Sequence, residues 1–159
     1  MTSPHFDSDG NAHMVDVSSK PITIRRAAAS ADIMMLGATA DLIRSGTAQK
    51  GDVLAVARIA AIQSTKLTQQ LIPLCHSIPV EAVDVEFQWI EDNVLRCSVT
   101  VTTTGRTGVE MEAMTGASIA ALTVYDMVKS VDRGLEIRSV VLQEKTGGKS
   151  GKFVRNAPI

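Results

Sequence analysis

Aromatic residues are nearly missing from this chain: one Trp, one Tyr and three Phe among 159 residues. With hydrophobic residues at 45%, the core has to be built from Ala, Val, Ile, Leu and Met. Side chains that small allow close helix–sheet and subunit packing. The shortage leaves little for stacking nucleic-acid bases on a sheet, where Phe87 and Trp89 are the main candidates. Net charge is scarce too, at a formal −1 with a pI near 6.3, so no basic field marks a nucleic-acid partner. Cysteine is limited to Cys75 and Cys97. One disulfide is arithmetically possible, but a domain of this size does not need it, and both read as reduced thiols of a cytosolic protein. No apolar run approaches the ~20 residues of a membrane span. Residues 1–11 are polar and lack the apolar centre of a secretion signal. The expected location is the cytoplasm, with no membrane partner.

What is present fits one domain with a sizeable core. Residues 1–12 read as a flexible arm, 13–149 as a single catalytic domain, and 150–159 as a flexible tail. Val15-Asp16-Val17 reads as a short edge strand and 21–27 as a strand. An Ala-rich helix is expected over 31–43, stopped by Ser45-Gly46. Asp52 is placed to cap a helix over 53–71, which Pro73 ends. Strict alternation over 82–90, a turn at Glu91-Asp92-Asn93 and a β-branched run over 94–103 predict a hairpin. A long Ala-rich helix follows over 109–130, then a strand over 135–143. Leaving aside the N-terminal extension, the order is β–α–β–β–α–β. That predicts an α+β, ferredoxin-like (split βαβ) antiparallel sheet with helices on one face. Such a fold hosts many unrelated activities.

The helix over 109–130 carries the densest functional signal. It places Glu110, Glu112, Asp126 and Lys129 in an otherwise apolar stretch, where charges need partners or a ligand. Asp126 and Lys129 share a helix face. They read either as a surface ion pair worth about 0–1 kcal/mol or, given Val124, Tyr125, Met127 and Val128 around them, as a partly buried pair. In the second reading Lys129 loses some hydration and acts as a general acid or base held by Asp126. Glu110 and Glu112 read as helix-start carboxylates favoured by the macrodipole, or as ligand contacts. Glu112 and Asp126 are fourteen residues apart, which is roughly 21 Å at ~1.5 Å per residue. One small substrate does not readily span that, so an inter-subunit site is expected.

Other motifs lie in loops. Leu71-Ile72-Pro73-Leu74-Cys75-His76 offers a Cys-His pair. A structural zinc site needs four ligands, and no second cluster has the spacing, so no metal site is expected. Nothing local lowers the Cys75 pKa for nucleophilic work. His76 reads as a loop residue that binds substrate or moves protons, or as a structural His. Lys145-Thr146-Gly147-Gly148-Lys149-Ser150-Gly151 is not a Walker A loop, because the first glycine would fall on Gln143. Its glycine backbone with Lys145, Lys149 and Lys152 reads as an anion cradle or as a basic tail. Lys50-Gly51-Asp52 sets another lysine at a helix start, and Lys66 and Arg106 add charge near other motifs. Lysines gathered at Gly-containing loops of a net acidic chain point to a polyanionic small molecule.

These blocks resemble the MoaC family, the cyclic pyranopterin monophosphate synthases of molybdenum cofactor biosynthesis. The resemblance covers roughly residues 11–152. It includes Met14-Val15-Asp16-Val17-Ser18, Lys50-Gly51-Asp52-Val53, Leu71 to His76, Thr107-Gly108-Val109-Glu110-Met111-Glu112-Ala113, Tyr125-Asp126-Met127 with Lys129, and Lys145 with the Gly147 to Gly151 run. It implies a ferredoxin-like subunit in a homohexamer, a trimer of dimers, with sites at a subunit interface. It implies a lyase that converts 3′,8-cyclo-7,8-dihydroguanosine triphosphate, made by a radical-SAM enzyme, to cyclic pyranopterin monophosphate and pyrophosphate. Carried over by position, Asp126 and Lys129 are catalytic. Lys50, Cys75, His76, Glu110, Met111, Glu112 and Lys145 bind substrate. No cofactor is held tightly, and Mg2+ is expected with the substrate triphosphate. Ser77 stands where the family commonly has proline, and Leu67 where it often has arginine. Two other classes remain: a nucleotide-binding regulatory module on the same fold, and an RNA-binding sheet.

Overall fold

The computed structural model describes residues 5–7 and 9–156. Residues 1–4 and 8 of the arm and 157–159 of the tail lie outside the described residues. Strand β1 (Thr23–Met34) runs into helix α1 (Gly37–Arg44), followed by α2 (Val53–Thr65) and the one-turn α3 (Thr68–Leu71). The hairpin β2 (Ala82–Glu91) and β3 (Val94–Gly105) leads to α4 (Glu110–Val128), then β4 (Glu136–Thr146) and β5 (Phe153–Val154). The sheet order is β2-β3-β1-β4-β5, and every pairing is antiparallel. Without β5 this is the ferredoxin-like arrangement.

Alternation decides which face is buried. Ala27, Ala29, Ala31 and Ile33 of β1 and Cys97, Val99 and Val101 of β3 are fully buried on the side covered by α4. Phe87 and Trp89 share that parity and pack against the core, with the guanidinium of Arg58 over one ring and that of Arg44 over the other. They are therefore not the exposed stacking platform that RNA binding by a sheet requires. Helix α4 also packs on α2 through small residues. A Cβ on Gly116 would lie 2.9 Å from Val99 Cγ1 and 3.0 Å from Thr65 Cγ2.

Several elements differ from the sequence reading, among them the first strand, which runs to Met34, and the strand expected over 135–143, which runs to Thr146. The helix expected over 31–43 begins at Gly37, because β1 continues to Met34 with ladders on both sides. Alanine favours helix by itself, but paired edges and a buried stripe override that preference here. The helix expected to reach residue 71 stops at Thr65. There Ser64, Thr65 and Thr68 turn their hydroxyls onto the backbone carbonyls of Ala61, Ile62 and Thr65, offering the chain an alternative to helix. Val15-Asp16-Val17 forms no strand; the Val15 carbonyl accepts a hydrogen bond from His76 Nε2 at 2.7 Å instead. Asp52 caps α2 as expected, its carboxylate accepting from the Ala55 amide at 2.9 Å. Phe153–Val154 form β5 inside the stretch read as a tail.

Candidate functional site

Helix α4 carries functional groups at both ends. At its N-terminus Glu110 and Glu112 lie in the first turn, where the macrodipole favours carboxylates, and no side chain caps the helix. Glu112 is only 3% exposed. Burial, and to a lesser degree the Glu110 charge, pushes its carboxyl up to about 7. Burial first and Glu112 second also raise the Cys75 thiol, so Cys75 is not a ready thiolate.

Two adjoining cavities open around this end. The larger, about 870 Å³, is lined by Lys20, Arg25, Arg106, Glu110, Lys145 and the loop Gly147-Gly148-Lys149-Ser150. The second, about 400 Å³, is lined by Cys75, His76, Met111, Glu112, Lys20 and Val15 among others. Lys20, Thr107, Gly108 and Glu110 line both. One wall is thus cationic and glycine-rich, and the other carries a buried carboxyl, an imidazole and a thiol. Lys145 Nζ lies 3.6 Å from Glu110 Oε1 and also meets Ser150 Oγ. His76 Nε2 must carry its proton, since the Val15 carbonyl can only accept.

Arg25 was not legible as a site residue. Its side chain is buried at the mouth of β1, with Nε donating to the Gly105 carbonyl at 3.3 Å and Nη2 to that of Arg106 at 3.1 Å. The Gly147-Gly148 loop crosses directly over it. A Cβ on Gly148 would fall 1.7 Å from Arg25 Nη1. Lys20 was missed as well. The only hint was that the alternation over 21–27 breaks into a charged Arg25-Arg26 pair.

The other end of α4 holds Asp126 and Lys129. Lys129 Nζ lies 2.7 Å from Asp126 Oδ1, while Lys50 Nζ reaches Asp126 Oδ2 at 2.9 Å and the Asp126 carbonyl at 2.8 Å. The hydrogen bond from Lys129, then that from Lys50, lowers the Asp126 carboxyl to about 2. The same contact raises Lys129. All three side chains are about half exposed. The expected loss of hydration at Lys129 is therefore not present within one chain: the carboxylate dominates and keeps the ammonium charged. None of the three lines either cavity. Among the described residues, no group of three or more His, Cys, Asp or Glu is arranged to hold a metal ion, and no helix is long and apolar enough to cross a membrane.

The MoaC family model matches residues 14–148. The chain belongs to the MoaC family. A protein of Rhodopirellula baltica named cyclic pyranopterin monophosphate synthase is 53% identical, covering 97% of this chain and 94% of the relative. Cyclic pyranopterin monophosphate synthase 1 of Mycobacterium tuberculosis is 53% identical over 96% of this chain and 90% of its own length. Synthase 3 of Mycobacterium bovis is 52% identical, with 96% and 86% covered. Both ends of α4 and the cationic wall as far as Gly148 fall within the MoaC match, whereas Lys149, Ser150 and β5 follow it.

Proposed function

We propose that this MoaC-family chain is a cyclic pyranopterin monophosphate synthase of molybdenum cofactor biosynthesis. It is a lyase that takes 3′,8-cyclo-7,8-dihydroguanosine triphosphate to cyclic pyranopterin monophosphate and pyrophosphate. The observation that carries this reading is the near full-length identity to proteins of that name. The geometry supports it, because a cationic, glycine-walled cavity next to a buried carboxyl suits a triphosphate joined to a base that must gain and lose protons.

Rearranging a purine to a pterin needs protons delivered and removed at ring nitrogens and carbons. Lys129 starts protonated, oriented by Asp126, with Lys50 sharing the carboxylate. It serves as general acid, then as base once discharged. Glu112 and His76 exchange protons on the opposite wall, with Cys75 and Met111 packed beside them. Closing the cyclic phosphate forms a bond from a sugar hydroxyl to the α-phosphorus and breaks the bond to pyrophosphate. Lys20, Arg25, Lys145 and Lys149 take up the leaving charge. Magnesium accompanies the triphosphate. Such an ion would be held by phosphate oxygens and at most a carboxylate or two, Glu110 being the acidic residue that lines the larger cavity.

The two ends of α4 are joined by a second copy of the chain. We place Lys50, Asp126 and Lys129 of one protomer at the cavity of its neighbour, in a hexamer built as a trimer of dimers and working in the cytoplasm. The test is conversion of the cyclic nucleotide, followed by pyrophosphate release and by pterin fluorescence after oxidation. Wild type turns over, and Lys129→Ala loses at least about a hundredfold in kcat. Binding without pyrophosphate release by the wild type would move the chain to the regulatory-module class.

A further inference from the structure

One wall of the larger cavity is a loop, 147–152, with no helix or strand of its own. Gly147, Gly148 and Gly151 hold φ of +92°, +73° and +67°. At Gly147 contact also demands glycine, since a Cβ would sit 2.3 Å from the Ile24 carbonyl oxygen. Glycines this permissive do not choose one path by themselves. The path is fixed at its far end by β5. Phe153 pairs with Lys145 and Val154 with Glu144. Just beyond, the Arg155 amide donates to the Gln143 carbonyl at 2.7 Å, and Arg155 Nε donates to the Leu142 carbonyl at 2.9 Å. The loop thereby becomes the closed tip of a hairpin. Inside it Lys145 Nζ donates to Ser150 Oγ, which leaves the hydroxyl proton of Ser150 free to donate to an anionic oxygen.

Strand β5 contributes little to the core, as Phe153 is 41% and Val154 50% exposed. Arg155 does not line the cavity. The hydrogen bonds of this segment therefore serve the loop. The segment also lies beyond residue 148, where the family match ends. We propose that β5 is a strap that holds Lys145, Lys149 and Ser150 in place for the phosphates of the ligand, and that Arg155 is its positioning residue. The inference rests on the reading above that this cavity takes the triphosphate end of the substrate. The loop meets the phosphate charge in the bound substrate and again as pyrophosphate leaves, so a loosened loop weakens binding of the phosphates, raises KM and lowers kcat/KM by at least the same factor.

The experiment compares wild type, Arg155→Ala, Arg155→Lys and a chain ending at Lys152. Each is titrated with inorganic pyrophosphate by calorimetry and assayed with the cyclic nucleotide. Arg155→Ala and the shortened chain should bind pyrophosphate about tenfold more weakly and raise KM to match, with kcat/KM falling about tenfold or more. Arg155→Lys, which keeps a donor for the Leu142 carbonyl, should recover most of the affinity. Thermal unfolding should stay near wild type, since only an exposed edge is altered. Unchanged pyrophosphate affinity in both variants overturns the strap. So does lost kcat at fixed KM, or an affinity loss that merely follows a lower melting temperature. The titration needs no turnover. If wild type fails to convert the nucleotide while the variants still lose pyrophosphate, the proposed reaction fails and the strap stands.

Discussion

Glu112 is the residue at which burial and charge oppose each other most directly. Its carboxyl is 3% exposed at the head of an apolar helix, and burial raises it from 4.5 to about 7. The folded chain therefore holds this proton more tightly than the unfolded chain does. Its stabilising contribution is complete below about pH 4.5 and is lost as the pH climbs through about 7, a difference of roughly 1–3 kcal/mol. Glu112→Gln, which cannot ionise, should remove that slope and leave the protein more stable than wild type at about pH 8. Urea unfolding across this window measures it, and parallel curves for the two proteins would show that Glu112 does not titrate there. The first-turn position of Glu112 was legible in the sequence. Its burial was not, because Glu110, two residues earlier, has the same chemistry and remains half-buried. Only the packing of α4 against the sheet distinguishes them. Asp126 gives the converse case: the Lys129 pairing follows from helical spacing, whereas Lys50 joins from 76 residues away.

At the scale of elements, local signals located the strands and helices whose hydrogen bonds close locally. The hairpin β2–β3 follows from alternation and a polar turn, and α2 starts where its own Asp52 caps it. Helix α1 failed that test, because its cap is remote. Leu36 precedes it with no capping side chain. The missing acceptor is Asp132, whose Oδ2 takes the Leu36 amide at 2.8 Å and the Thr39 hydroxyl at 3.1 Å. Asp132 is 3% exposed, so nothing else satisfies those donors cheaply. Asp132→Ala should cost about 1–3 kcal/mol by leaving them buried and unpaired. Chemical denaturation reads this directly, and a loss near zero would mean that water or another group replaces the cap. Turnover per folded molecule should be preserved, since Asp132 lines neither cavity and its carboxylate is bonded to Leu36 and Thr39 rather than to the Lys50–Asp126–Lys129 cluster.

For the whole molecule, the rigid length of α4 is the governing fact. Nineteen helical residues span roughly 28 Å, so the cavity end and the Lys129 end of one protomer cannot close on a single small substrate. The half-exposed Lys50–Asp126–Lys129 cluster fits the proposed inter-subunit site, in which a neighbour's cavity would desolvate it. A consequence can be counted. Lys129→Ala and Lys145→Ala should each be inactive alone, because every proposed inter-subunit site they form would lack one half. When the two are unfolded together and refolded as mixed oligomers, a site built from the Lys129 half of one chain and the Lys145 half of another is intact in about a quarter of cases. Mixed refolding should therefore restore about a quarter of wild-type activity, while mixing the separately folded oligomers without exchange restores none. If the hybrids stay as inactive as their parents, each active site is confined to one chain. With α4 spanning roughly 28 Å, the reaction would then have to run at one end of the helix only, and the Lys50–Asp126–Lys129 cluster and the cavity could not both be catalytic.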